Sequence, residues 1–444
     1  MRHKRFNSFD FIIMITITGV ICTVLFITTS GSEEVLHRKK RLTPQQKRDI
    51  RGAEIAGLTY NNYLSEEDTC RLKGLDQILV PRVPGTLGNR AVRDYLAGRL
   101  RDLQWSVEFD TFTQNTIIGQ KEFSNVIGYS NPTAEKHVVI TAHYDSKIYP
   151  PTPEGKEFVG AIDSAVPCAM ILSMMDNLNK LLMKKQLKDP SRGIIVVFFD
   201  GEEAFKDWTS TDSIYGSRHL AQKWKSEGFF EKMELFVLLD LLGAKGPSFA
   251  SSFSATEHHF KRMWQLETEI KNLDLFEAKD KMYFKEKGSI WGIEDDHKPF
   301  EARGYEHIVH LIAAPFPPQW HKMTDDAEHL DCPTIHNLMK IFQLWIAELF
   351  DLHKLINIEN TLDRKSGSSS ISNLSNWSTV MCIFLDVNSV STKPGKKSNL
   401  YKIISLTTPI QTLCLTEVLV VVKTPQTLPL LCISRIRRLP VRRF

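Results

Sequence analysis

No two of the seven cysteines form a Cys-x-x-Cys pair, which removes a thiolate zinc finger or ribbon from consideration. They stand singly, as Cys22, Cys70, Cys168, Cys332, Cys382, Cys414 and Cys432, and no pairing follows from their spacing. Excess positive charge is also missing from most of the chain. The formal net charge of the 444 residues is +4. Residues 1–48 carry nine basic and three acidic residues, and residues 354–444 carry thirteen and four. The stretch between them holds 34 basic against 45 acidic residues, a net −11. An acidic centre excludes a nucleic-acid partner, which needs clustered Lys and Arg to displace counterions from phosphates. It suits a metal ion or a cationic substrate. Long apolar runs are scarce too. Leu415–Val422 is too short to span a bilayer.

One run is long. Phe11–Thr29 carries no charge and follows Arg2, Lys4 and Arg5. Its length favours an uncleaved signal anchor, with residues 1–10 in the cytosol, over a cleaved signal peptide. Ser30-Gly31-Ser32 would permit cleavage. Either way the chain is expected in the secretory pathway, as a single-pass type II Golgi membrane protein if residues 11–30 are kept and secreted if they are cut. Residues 31–45 read as a basic stem and residues 46–353 as one folded domain. Residues 354–444 read as a Ser-rich linker and a basic tail of no assigned role, with glycosylation acceptors at Asn373 and Asn376.

At 42% hydrophobic residues, the middle stretch can bury one α/β core. Four short runs, His137–Thr141, Ile194–Phe199, Leu235–Leu239 and His307–Ile312, have the near-continuous apolar pattern of strands covered on both faces. Helical patterns fall at Ser164–Lys185, Ser217–Lys225, Glu257–Ile270 and Thr334–Leu352. The alternation predicts an α/β fold, a mostly parallel central sheet with helices on both faces.

Polar residues gather where those strands end. His143 and Asp145 follow the first, Asp200, Glu202 and Glu203 the second, Asp240 closes the third, and Ala313–His321 follows the fourth. In open α/β sheets ligands bind at that edge. Any one of these residues taken singly reads as a helix cap or a solvated surface group. Together, carboxylates and imidazoles without thiolates make a hydrolytic-type zinc set, with three protein ligands and one open position.

The segments Val80-Pro81-Arg82-Val83-Pro84-Gly85, Gly160-Ala161-Ile162-Asp163-Ser164-Ala165-Val166-Pro167-Cys168, Asp200-Gly201-Glu202-Glu203-Ala204-Phe205, Leu239-Asp240-Leu241-Leu242-Gly243-Ala244, Glu294-Asp295-Asp296-His297 and Pro315-Phe316-Pro317-Pro318-Gln319-Trp320-His321 closely resemble the animal glutaminyl-peptide cyclotransferases. That family is related to the M28-type zinc aminopeptidases, so the resemblance implies a zinc-aminopeptidase-like (phosphorylase/hydrolase-like) fold. The resemblance spans roughly residues 45–353. It implies one Zn2+ held by Asp163, Glu203 and His321, with Glu202 as proton shuttle. Asp240 and Asp296 would form an acid pair at the substrate amine and leaving group. Trp208, His310, Phe316 and Trp320 would wall the substrate pocket, and His143 and Asp145 would support the ligands. The implied reaction turns the N-terminal Gln, and more slowly Glu, of peptides and proteins into pyroglutamate, in a monomer. Two positions depart from the family. Ala142 stands where a cysteine usually pairs with that of the Val-Pro-Cys motif, leaving Cys168 without its expected partner. Ile162 stands where Thr is expected.

Two other readings have to be weighed. A two-zinc M28-type aminopeptidase would use His143 and Asp240 for a second metal beside a bridging Asp163. An inactive homologue that only binds N-termini would have lost one of Asp163, Glu202, Glu203 or His321, and none is lost.

Overall fold

A computed structural model describes residues 68–355, apart from 278–280, 290, 291 and 354, together with Gly52 and Leu58. The apolar run Phe11–Thr29, the stem, the tail with Asn373 and Asn376, and Cys22, Cys382, Cys414 and Cys432 lie outside the described residues. Among the described residues no helix is long and apolar enough to cross a membrane.

The four apolar runs form β3 (Lys136–His143), β4 (Arg192–Phe199), β5 (Met233–Asp240) and β8 (Ile308–Ile312). They pair in parallel, with Val139 opposite both Ile195 and Phe236, and Phe236 opposite Ile308. Alternation along each strand sends side chains to two separate cores. Val138, Ile140, Ile194, Val196, Leu235, Val237, Val309 and Leu311 face one core. Val139, Ile195, Val197, Phe199, Phe236, Leu238 and Ile308 face the other. A strand apolar at every position is what two covered faces require.

The helices divide accordingly. The first core is closed by α1 (Leu87–Asp102), α2 (Val166–Gln186), α4 (Glu257–Asn272) and α6 (Cys332–Leu349). The second is closed by α3 (Tyr215–Ser226), through Leu220 and Trp224, and by the single turn α5 (Lys298–Glu301), through Phe300. Pro167 sits in the first turn of α2, where its missing N–H costs nothing. The helix therefore begins at Val166, two residues later than its apolar pattern suggests, after one wide π-type turn at Ala161–Ala165.

The sheet is mixed. Two further strands, β1 (Ser106–Thr116) and β2 (Gly119–Tyr129), form an antiparallel hairpin, and β2 pairs antiparallel with β4. The strand order is β1-β2-β4-β3-β5-β8. A small parallel ladder, β6 (Phe249–Ser251) with β7 (Phe284–Ser289), stands apart from it. Cys70 and Cys332 form a disulfide across 262 positions of sequence, tying the turn before α1 to the start of α6. Cys168 is a buried free thiol that donates to the carbonyl of His143 at 3.1 Å. Burial pushes this thiol up to about 12, so it behaves as a small apolar side chain.

Candidate functional site

The carboxyl ends of β3, β4, β5 and β8 meet on one side of the sheet. β3 delivers His143, the loop after β4 delivers Glu202 and Glu203, β5 ends on Asp240, and the loop after β8 carries Phe316, Trp320 and His321. Asp163 arrives from the π-type turn before α2. That turn depends on Gly160, whose φ is +53° and whose missing Cβ would stand 2.3 Å from the Asp163 carbonyl oxygen. Gly201, at φ +71°, opens the β4 loop in the same way.

Asp163, Glu203 and His321 converge. His321 Nε2 lies 3.4 Å from Asp163 Oδ2 and 3.3 Å from Glu203 Oε1. Glu203 Oε1 is buried and has no hydrogen-bond partner, an arrangement that costs free energy unless a cation satisfies it. Two carboxylates and one imidazole suit zinc, with the cavity side left open. The residues present therefore fit the metal. Before any cation is counted, Asp163 and Glu203 hold His321 up at about 9 against the opposing effect of burial. Burial works against the charge on Asp163 too, but His143 and His321 outweigh it and hold that carboxylate low.

Around these three groups His143 and Asp145 are fully buried. His143 Nε2 lies 2.9 Å from Asp163 Oδ1 and 3.5 Å from Asp240 Oδ1. Asp145 accepts the backbone N–H of Glu202 on one oxygen, at 3.0 Å, and that of Glu203 on the other, at 3.1 Å. One aspartate thus fixes the orientation of both adjacent glutamates. Lys147 Nζ reaches Glu203 Oε2 at 3.1 Å, a contact with no separate signal in the sequence.

Glu202, beside this cluster, is buried. Burial pushes its carboxyl well above the usual range, and Glu203, Asp295 and Asp296 add to the shift while His143 opposes it. Asp240 is lifted to about 6 by burial and then by the charge of Asp295. Ser164 Oγ and the Leu241 N–H both donate to Asp240 Oδ1.

A cavity of about 530 Å³ opens onto Asp163, Glu202, Glu203, Asp240 and His321. Its walls include Trp208, Phe316 and Trp320. The Phe316 and Trp320 rings meet edge to face at 4.8 Å, and Trp320 stacks on His321 at 4.1 Å. The Trp208 indole N–H donates to Glu294 Oε2 at 3.1 Å at the mouth.

Two expected residues lie elsewhere. His310 and Asp296 are buried and do not line the cavity. His310 points instead to Asp295, with Nε2 2.7 Å from Asp295 Oδ2. Neither carboxylate oxygen of Asp296 has a hydrogen-bond partner, and burial followed by the charge of Asp295 holds Asp296 well above the usual carboxylate range. Asp295 acts on Asp240 as its strongest charged neighbour. Asp295, the immediate neighbour of Asp296, is therefore the acid of the two that a histidine holds. Its only signal was the adjacent acid pair Asp295-Asp296.

Comparison with known proteins matches residues 125–346 to the model of peptidase family M28. A glutaminyl-peptide cyclotransferase of Gloydius blomhoffii is 44% identical over 295 residues, 63% of this chain and 80% of the relative. One of Drosophila melanogaster is 40% identical over 338 residues, 70% of this chain and 94% of the relative. The crystal structure of a Macrostomum lignano glutaminyl cyclase superposes with a TM-score of 0.57 at 34% identity, covering 71% of this chain and 95% of the other.

Proposed function

The chain belongs to peptidase family M28 and, within it, to the glutaminyl-peptide cyclotransferases, and on that premise we propose how its residues share the work. The enzyme converts the N-terminal glutamine of peptides and proteins to pyroglutamate and releases ammonia. Glutamate at the same position is the slower substrate, losing water. The observation that carries the assignment of roles is the meeting of Asp163, Glu203 and His321 beside a buried Glu202 at the floor of one aromatic-walled cavity.

Asp163, Glu203 and His321 would hold one zinc ion. Zinc bound there supplies Lewis-acid polarisation of the side-chain carbonyl and stabilises the negative charge that develops on its oxygen. The substrate's own α-amine is the nucleophile, so no water need be activated. Its nitrogen bonds to the γ-carbonyl carbon and the bond to the side-chain amide nitrogen breaks. Glu202 takes a proton from the attacking amine and returns it to the departing nitrogen, which leaves as ammonia. A carboxyl held well above the usual range by burial is suited to both halves of that task. Asp240 faces the cavity, and the charge of buried Asp295 acts on it. This pair would orient the amine, with Asp295 in the part that the resemblance gave to Asp296. Trp208, Phe316 and Trp320 would enclose a single side chain and keep water out.

The test is a Gln-initiated peptide incubated with the chain, with and without a chelator. Loss of one ammonia per peptide, blocked by the chelator and restored by zinc, is the expected result. Free amino acid released instead, with two zinc ions bound per chain, would favour the two-zinc aminopeptidase, for which His143, Asp163 and Asp240 lie close enough together. Glu202→Gln should lower kcat by about 10²–10⁴-fold with zinc still bound. The run Phe11–Thr29 supports entry into the secretory pathway, as a single-pass type II Golgi protein where that run is retained.

A further inference from the structure

Arg82 is fully buried, yet its hydrogen-bond partners are carbonyl oxygens rather than carboxylates. Nε donates to the carbonyl of Tyr144 at 2.6 Å, immediately after His143. One terminal nitrogen donates to Val159, and to Ile78 and Val80 at 3.4 Å each. The other donates to Gly160 at 2.8 Å and to Asp163 at 3.3 Å. The backbone is engaged as well. Its N–H donates to Ser146 Oγ at 3.0 Å, and its carbonyl accepts from Asn89 Nδ2 at 3.1 Å. Asn89 also donates to Asp200 Oδ1 at 2.9 Å. Arg82 therefore joins the end of β3, with His143 and Asp145, to the turn with Asp163 directly, and through Asn89 reaches Asp200, just before Glu202 and Glu203.

We infer that Arg82 is a positioning residue for the metal site, setting the backbone that carries Asp163 relative to His143 and the two glutamates. The inference rests on the zinc reading above. A planar guanidinium with five N–H groups can address several carbonyls at once in fixed directions, which an ammonium cannot. Burying a cation without a carboxylate partner is costly. Here burial pushes the guanidinium below its usual value, and the nearby Asp145, Asp325 and Asp163 oppose that shift only in part. A residue that only stapled the segment before α1 to the core would not have to be ionic, nor reach the ligand's own carbonyl.

The test separates positioning from bulk stability. Zinc affinity is measured by competition with a chelator on wild type and on Arg82→Lys, each at a temperature where it is fully folded by near-UV circular dichroism. Arg82→Lys should bind zinc about 10–100-fold more weakly, with kcat reduced and KM little changed. A Cys70→Ser/Cys332→Ser variant, destabilised with every one of these hydrogen-bonding groups retained, should keep wild-type zinc affinity. If Arg82→Lys does not fold, Ser146→Ala removes a single bond to the Arg82 backbone and should weaken zinc about five-fold. Wild-type zinc affinity in the folded Arg82→Lys protein, or in Ser146→Ala where the former is unfolded, overturns the inference. A wild-type chain that binds no zinc overturns the zinc reading and this inference with it.

Discussion

Asp295 Oδ2 and His310 Nε2 lie 2.7 Å apart, both residues buried behind the cavity floor. The histidine stands inside β8 and therefore holds the loop aspartate against a rigid strand. Replacing it by Leu should release Asp295 and lower kcat by about 100-fold, the cost of a small misplacement in a catalytic array. Zinc content should stay at the wild-type level. Turnover of a Gln-initiated peptide, together with metal analysis, checks both. Unchanged kcat would mean that Asp295 does not act through this contact.

The disulfide between Cys70 and Cys332 closes a loop spanning 262 positions. Its removal in a Cys70→Ser/Cys332→Ser protein should cost about 2–5 kcal/mol, since the cross-link limits the unfolded chain. Denaturant unfolding monitored by tryptophan fluorescence would show the midpoint move down. Activity at low temperature should persist, because neither cysteine borders the cavity.

Glu267 offers a pH dependence away from the metal. Its carboxylate accepts the backbone N–H groups of Tyr283 and Phe284 at 2.6 and 3.0 Å. Burial nevertheless lifts it from 4.5 to about 7. The folded state thus keeps a proton that the unfolded state has released between those values. Stability contributed by this group must therefore fall as pH rises from about 4.5 to about 7, by about 1–3 kcal/mol. Thermal unfolding of wild type and Glu267→Gln across that window should converge toward the acid end and diverge above it. Parallel curves would refute the assignment.

Removing zinc should destabilise the fold as well as stop the reaction. A ligand that binds only the folded chain contributes about 2.7 kcal/mol when present at 100 times its dissociation constant. Chelation should lower Tm, and added zinc should restore it. Glu203→Gln should abolish most of that zinc-dependent increment, because it removes one of the three donors.

The parts of this protein that could be read in advance are those where chemistry and pattern coincide. β3, β4, β5 and β8 are apolar at almost every position because both faces are covered. The hairpin was invisible because β1 is Ser-Val-Glu-Phe-Asp-Thr-Phe-Thr-Gln-Asn-Thr, with Asp110 its one fully buried residue. At the site, the motifs around Asp163, Glu202, Glu203 and His321 pointed to residues that the fold brings together. Asp295 and Asp296 are adjacent and chemically alike, so only the direction of each side chain separates them. His310, in an apolar run, gave no hint that its ring turns to Asp295 and not to the cavity. The Cys70–Cys332 bond follows from α6 packing over the first core, which no count of residues between cysteines conveys.

The arrangement of the central sheet also governs how copies of the molecule meet. A sheet ends in two unpaired rows of N–H and carbonyl groups, and a long flat apolar border would invite strands from other chains. Here one border is β1, a polar strand whose side chains include Glu108, Thr111 and Gln114. The other is β8, five residues long and buried throughout. Burial leaves β8 little to offer another strand, and on β1 the charged and hydroxyl side chains disfavour addition of an apolar strand from another chain.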